Sequence, residues 1–247
     1  MENRKGIIRH VPNTITSLNL FSGSVGILLA FEGHLMLASA MIGIAAVFDF
    51  CDGFAARLLK AYSPMGKELD SLADMVSFGV LPSVIVYMLL KQSLGINQFS
   101  FDLNIKLILA LLFPFIIAVF SGLRLAKFNI DERQTESFVG LPTPANAIFL
   151  GSLPLISGLG ENLFFKEIIM NPWFLIIISL FLSLMLVAEF PMFSLKFKSP
   201  KFSKNKLRYI FIFISVFLIV ILQYVAIPLI IVLFILLSAV NNWIYKF

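Results

Sequence analysis

Residues 209–245 read YIFIFISVFLIVILQYVAIPLIIVLFILLSAVNNWIY, an unbroken stretch of 37 residues without a charge. As one helix it would be about 55 Å long, nearly twice the roughly 30 Å hydrocarbon core of a bilayer. Gln223 and Pro228 bracket the turn that divides it into two spans. Working back toward the N-terminus, further uncharged windows cover 11–31, 33–48, 75–90, 107–123, 137–160 and 168–188. Each is near or above the roughly 17–20 residues that cross a membrane as helix. The expected fold is an all-α integral membrane protein with about eight transmembrane helices, at 13–32, 34–59, 70–92, 105–127, 142–160, 171–191, 207–225 and 228–245. The whole of 1–247 reads as a single polytopic membrane domain.

Composition agrees. Of 247 residues, 59% are hydrophobic and 13% charged, with a mean hydropathy of +0.95, whereas a soluble domain carries roughly 25% charged residues. That excludes a soluble globular protein, and continuously apolar windows without two-residue alternation exclude a β-barrel. The net charge of +5 would suggest nucleic acid as partner in a soluble protein. Here topology explains it, and no nucleic-acid partner is expected. Threading the spans from a cytoplasmic N-terminus puts sixteen of the nineteen Lys and Arg inside, leaving Lys91, Lys106 and Lys166 outside. This positive-inside bias supports an even number of spans with both termini cytoplasmic, and a multi-pass protein of the cell membrane. The N-terminal segment is not expected to be a cleaved signal peptide, because its apolar stretch is too long and runs into a second span. Residues 196–208, KFKSPKFSKNKLR, read as a cytoplasmic loop or as a contact for anionic lipid. Cys51, the sole cysteine, forms no intrachain disulfide.

Against this background four carboxylates are conspicuous. Asp49 and Asp52, three residues apart, sit at the cytoplasmic end of the second span, and Asp70 and Asp74, four apart, in the next. Charges there are costly and by default functional. The short connection 58–69 makes the two helices antiparallel neighbours, so both pairs converge. Four carboxylates in a low dielectric need protons or cations. Oxygen-only ligands point to a pair of Mg²⁺ or Mn²⁺ ions rather than zinc, and two such ions can clamp a pyrophosphate during phosphoryl transfer. Gly53 and Gly66 admit either a substrate or a packed helix beside the backbone. Arg57 either pairs a phosphate or offsets the carboxylates.

Written out, 49–74 is DFCDGFAARLLKAYSPMGKELDSLAD. It resembles the signature of the CDP-alcohol phosphatidyltransferase family, D-x2-D-G-x2-A-R-x8-G-x3-D-x3-D, with Asp49, Asp52, Gly53, Ala56, Arg57, Gly66, Asp70 and Asp74 all matching. The resemblance implies a two-metal site in which Asp49, Asp52 and Asp70 are ligands, while Asp74 is general base and also touches a metal. It implies that Gly53, Ala56, Arg57, Ser63 and Gly66 lie against the CDP-linked lipid. In VPNTITSLN, Asn13 and Thr16 match a polar element that the family places before its first core helix, although Asn13 also suits an N-cap. The implied chemistry is attack of an alcohol on the lipid-side phosphorus, with CMP leaving.

The acceptor is suggested by a second segment, SGLRLAKFNIDERQTESFVGLPTPANA at 121–147. It resembles the phosphatidylserine synthase branch of that family, with Lys127 where arginine is common. The implied reaction transfers a phosphatidyl group from CDP-diacylglycerol, or an archaeal CDP-linked diether lipid, to L-serine. Arg124, Lys127 and Asn129 are the candidate serine-binding residues, since the zwitterion needs a cation for its carboxylate and acceptors for its amine. Gly140, Pro142 and Pro144 could shape a loop over the site; Asp131, Glu132 and Glu136 read as a solvated loop. Glu189 either pairs with Lys196 or lines the cavity. The resemblance covers about 11–190, leaving 207–246 as two additional C-terminal helices; it leaves open a homodimer and another acceptor, such as glycerol 3-phosphate or inositol phosphate. An ion-coupled transporter or membrane prenyltransferase fits less well, because the acids lie in one cluster with no second half mirroring them.

Overall fold

Two long helices, α1 (Glu2–Phe31) and α2 (Leu35–Leu59), form an antiparallel pair. The turn between them is made by Gly33, at φ +82°, where a side chain would be strained. In the computed structural model, which describes residues 2–130, 138–160, 162–193 and 205–245, α2 ends at Lys60 in a left-handed conformation. The Lys60 N–H closes back on Ala56 and Arg57. Ser63 then caps α3 (Pro64–Asp74), accepting from Gly66 N at 3.0 Å, with Pro64 in the first turn where its missing N–H costs nothing.

After Asp74 the helix does not stop. It passes through a π-helical turn, Met75–Val80, in which the Leu81 N–H reaches back five residues to Val76 O, and continues as α4 (Leu81–Ser93). All residues from Leu81 to Leu90 are buried. This rod is the centre of the molecule, with α1, α2, α6 (Ile116–Ile130), α7 (Thr143–Leu159) and α9 (Pro172–Val187) packed on it. α1 approaches the π-helical turn so closely that a Cβ on Gly23 would collide with Ser77. A helix pair that meets through small residues is a recurrent membrane solution. α5 (Ile105–Leu112) leads into α6 through a 3₁₀ turn at Pro114.

Two-residue strands β1 (Phe138–Val139) and β2 (Pro191–Met192) pair antiparallel. They tie the start of α7 to the end of α9, reinforced by Gly140 N donating to Phe190 O at 2.9 Å and Leu141 N to Met185 O at 2.8 Å. Gly140 is fixed here, at φ +80° against the Leu186 carbonyl. The loop of Gly140 and Pro142 is thus anchored to α9, whereas Pro144, expected in that loop, lies in the first turn of α7. The short α8 (Leu163–Ile169) meets α9 at 68°.

The chain is an all-α membrane protein, as composition required. Among the described residues, five helices are long and apolar enough to cross a bilayer, or six if α8 and α9 count as one bent span. The 17 residues of α7 and the 16 of α9 are shorter than the spans expected at 142–160 and 171–191. The long C-terminal stretch divides where Gln223 was expected to divide it: α10 (Lys206–Leu222) and α11 (Ala226–Tyr245) flank a 3₁₀ turn, and Gln223 adopts φ 48°. Phe211 and Phe234, each about a dozen residues from that turn, stack at 5.9 Å, so the two helices form a hairpin. The acidic residues Asp131, Glu132 and Glu136, and the basic run 196–204, lie outside the described residues.

Candidate active site

Helical spacing aligns three polar stripes. On α1, Asn13, Thr16 and Asn19, with Pro12 beside them, recur at three-residue spacing; Asp49, Asp52, Gly53 and Ala56 on α2, and Ser63 at the cap of α3 with Gly66, Lys67, Asp70 and Asp74 along it, recur at three- and four-residue spacings. Because α1 packs on both other helices, the stripes meet. Asp49, Asp70 and Asp74 each present a carboxylate oxygen within 4.8 Å of the others. Asp52 is buried, and its Oδ2, like Asp70 Oδ1, has no hydrogen-bond partner among the described residues. Buried carboxylate oxygens without donors are strongly unfavourable unless something positive occupies the space between them. The donors are all oxygen, without histidine or cysteine, which fits a hard divalent ion such as Mg²⁺ or Mn²⁺.

Beside the cluster runs a groove of about 550 Å³ lined by α1, α2 and the turn into α3. Its walls include Asn13, Thr16, Asp52, Gly53, Ala56, Ser63, Gly66 and Asp70. Six of the seven residues expected against a CDP-linked lipid are therefore together. The seventh, Arg57, is exposed on the last turn of α2 and does not line the groove. Asn13 is not an N-cap: it lies well inside α1, and its Oδ1 stands only 2.9 Å from where a Cβ on Gly66 would be. A side chain at 66 would therefore push Asn13 Oδ1 and Ser63 Oγ from their places. Gly53 has nothing within 4 Å of an added Cβ, so packing does not explain it.

Sequence reasoning missed three groups. Asn19, fully buried, donates from Nδ2 to Asp74 Oδ1 at 3.2 Å and holds that carboxylate's orientation. Its only signal was a polar residue on the α1 stripe one turn beyond Thr16. Tyr62 and Lys67 line the groove, at positions the signature leaves unspecified. Lys67 Nζ donates to Asn129 O at 2.8 Å, and Asn129 Nδ2 to Ser71 Oγ at 2.8 Å, clipping α3 to α6.

Of the candidate acceptor residues, Arg124 is buried on α6, interacts electrostatically with Asp74 and lies 5.8 Å from the centre of the Phe128 ring. Lys127 pairs with Glu189 at 3.1 Å, which answers what Glu189 does. The pair is partly exposed and contributes less than about 1 kcal/mol. Asn129 uses its amide on Ser71.

A sequence profile described as CDP-alcohol phosphatidyltransferase matches residues 9–183. A protein of Mycobacterium leprae named CDP-diacylglycerol–serine O-phosphatidyltransferase is 35% identical over 190 residues, 74% of this chain and 57% of the relative. A Bacillus subtilis protein of the same name is 36% identical over 137 residues, covering 56% and 71% of the two chains. An archaetidylserine synthase of Methanothermobacter thermautotrophicus is 33% identical over 159 residues, 63% of each chain. The alignment to the mycobacterial relatives spans less than two thirds of their length.

Proposed function

Because the chain belongs to the CDP-alcohol phosphatidyltransferase family, we propose that it transfers the phosphatidyl group of CDP-diacylglycerol to the hydroxyl of L-serine, forming phosphatidylserine and CMP. The observation that carries this reading is the convergence of Asp49, Asp70 and Asp74 within 4.8 Å, with Asp52 and Asp70 lining the groove beside them, all four at the family's spacing. The serine acceptor rests on the names of the relatives and on a buried cation, Arg124, in electrostatic reach of Asp74.

In this reading Asn13, Thr16, Gly53, Ala56, Ser63 and Gly66 hold the cytidine diphosphate, with Lys67 offering a positive charge along the groove. Arg57 reaches the nucleotide only by swinging in from its exposed position. Asp49, Asp52, Asp70 and Asp74 would hold the divalent ions. Bound there, such ions supply neutralisation of the charge that develops on the pyrophosphate. Asp74, oriented by Asn19, takes the proton of the acceptor hydroxyl. The freed oxygen attacks the phosphorus attached to the lipid, the P–O bond to CMP breaks, and Arg124, Lys127 and Asn129 border the acceptor's approach.

The same reading gives eight crossings with both termini and the active site cytoplasmic, in the plasma membrane, and a family core over 11–190 followed by two further helices. The α10–α11 hairpin and the segregation of Lys and Arg support it. Soluble serine and CMP then exchange with the cytoplasm while acyl chains stay in lipid. The archaeal relative favours testing a diether donor beside the diacyl one.

The test is CMP release by the purified protein given either CDP-lipid, Mg²⁺ or Mn²⁺, and a panel of alcohols. Serine is the expected acceptor; no CMP with any alcohol overturns the function, and release with glycerol 3-phosphate but not serine overturns the acceptor. A second expectation concerns Gly53. With open space at its Cβ, Gly53→Ala should stabilise α2 by up to about 1 kcal/mol through helix propensity. Gly53→Leu should instead fill the groove and raise the KM for the CDP-lipid about tenfold or more, a loss read by varying the donor at fixed serine.

A further inference from the structure

One set of buried polar atoms lies outside the groove. Thr143 and Asn146 stand one turn apart at the start of α7, 1% and 0% exposed. Thr143 Oγ1 and both amide atoms of Asn146 have no hydrogen-bond partner among the described residues, and neither has Arg124 Nε. A buried amide with neither atom partnered is unfavourable on both sides, and native proteins rarely keep one without a ligand or water.

Helix register fixes where these atoms lie. Gly151 packs on Ile42 and Gly158 on Met36, so α7 runs antiparallel to α2, and the same register continued inward sets Pro144 level with Asp49. Thr143, Asn146, Leu150 and Leu153 share a second face, all buried, about 120° around the helix from those glycines. α7 also packs on α4 and on the π-helical turn that follows Asp74. The unpartnered atoms thus lie on a buried face of α7 near the depth of Asp49, on a helix that packs against the π-helical turn following Asp74.

We propose that Asn146, with Thr143 and Arg124, forms the seat of the acceptor's charged head, an α-amino acid zwitterion. This rests on the reading of the chain as a serine phosphatidyltransferase. The Arg124 guanidinium takes the carboxylate; the Asn146 carbonyl accepts from the ammonium, while its NH₂ and the Thr143 hydroxyl complete the shell. One amide offering a donor and an acceptor suits a group bearing both charges. A phosphate-bearing alcohol without an amine has no donor to give the Asn146 carbonyl, so that acceptor would gain nothing from it. Lys127 and Asn129, engaged with Glu189 and Ser71, then border the entrance rather than the seat.

Asn146→Leu, nearly equal in volume, separates this seat from ordinary packing. In the purified full-length protein with saturating CDP-diacylglycerol and Mn²⁺, the expected result is a KM for L-serine raised about 10- to 100-fold, with the KM for the lipid within about twofold. Thr143→Val should shift the serine KM in the same direction, and serves alone if Asn146→Leu does not fold. An unchanged serine KM in the folded variants overturns the seat while leaving the serine reaction standing, and a raised melting temperature beside it would mark Asn146 as a core residue. A wild-type protein that turns over glycerol 3-phosphate but not serine overturns both; one that releases no CMP overturns the function from which the seat is argued.

Discussion

Asp74→Asn is expected to slow CMP release at saturating substrates by about 10²–10⁴-fold, the usual contribution of a positioned general base, with CDP-lipid affinity kept within a few fold. The substitution preserves shape, and the new carboxamide oxygen can still accept from Asn19 Nδ2, which lies 3.2 Å from Asp74 Oδ1. What is lost is the ability to take a proton, together with one of the carboxylate charges that would hold the divalent ions. Binding of the CDP-lipid without acceptor, measured beside the steady-state rate, separates loss of chemistry from loss of the site. A near-normal rate would remove Asp74 as the base. Asn19→Ala should cost less, because the carboxylate stays and only its orientation relaxes.

Asp70→Asn is the second large effect. Asp70 belongs to the three-carboxylate cluster, lines the groove and carries a buried oxygen with no donor. A ligand that binds only the folded state stabilises it by RT ln(1 + [L]/Kd), about 2.7 kcal/mol at one hundred times Kd. Wild-type protein should therefore melt higher as Mn²⁺ is titrated in, and EDTA should reverse the shift. Asp70→Asn should lose most of that shift together with turnover. A wild type indifferent to Mn²⁺ would sink the metal site, and a variant that still responds would take Asp70 out of it.

The parts of this molecule that were readable from sequence are those that obey a local period. Apolar windows near or above the length of a bilayer crossing became helices, the four aspartates lay at helical spacing on two adjacent elements, and Gln223 marked the hairpin. What stayed hidden depends on contacts between distant residues. Lys127 and Glu189 are 62 positions apart, and nothing near either announces the other; a cation near a carboxylate cluster looks like a substrate ligand until its partner is seen. Asn19 reads as one more small polar residue until α1 lies against Asp74. Arg57 matches the signature yet is exposed and does not line the groove, because a signature records spacing and not which side chains meet. The π-helical turn left no trace in MVSFGV; the close approaches it makes, Ser77 to Gly23 of α1 and Gly79 to Ser121 of α6, are contacts between distant residues.

That turn has a consequence for how the molecule can vary. A normal helix advances about 100° per residue, so the azimuth of Asp70 and Asp74 would ordinarily be locked to that of the apolar residues above them. A wider turn between the two acts as a gear: it lets the carboxylates point to α2 while Leu81–Leu90 stay in phase with the surrounding bundle. Tightening Met75–Val80 to regular α-helix at the same length would swing one half against the other by about a quarter turn, and either the catalytic face or the buried face would be left looking the wrong way; deleting one residue at the same time would restore the phase.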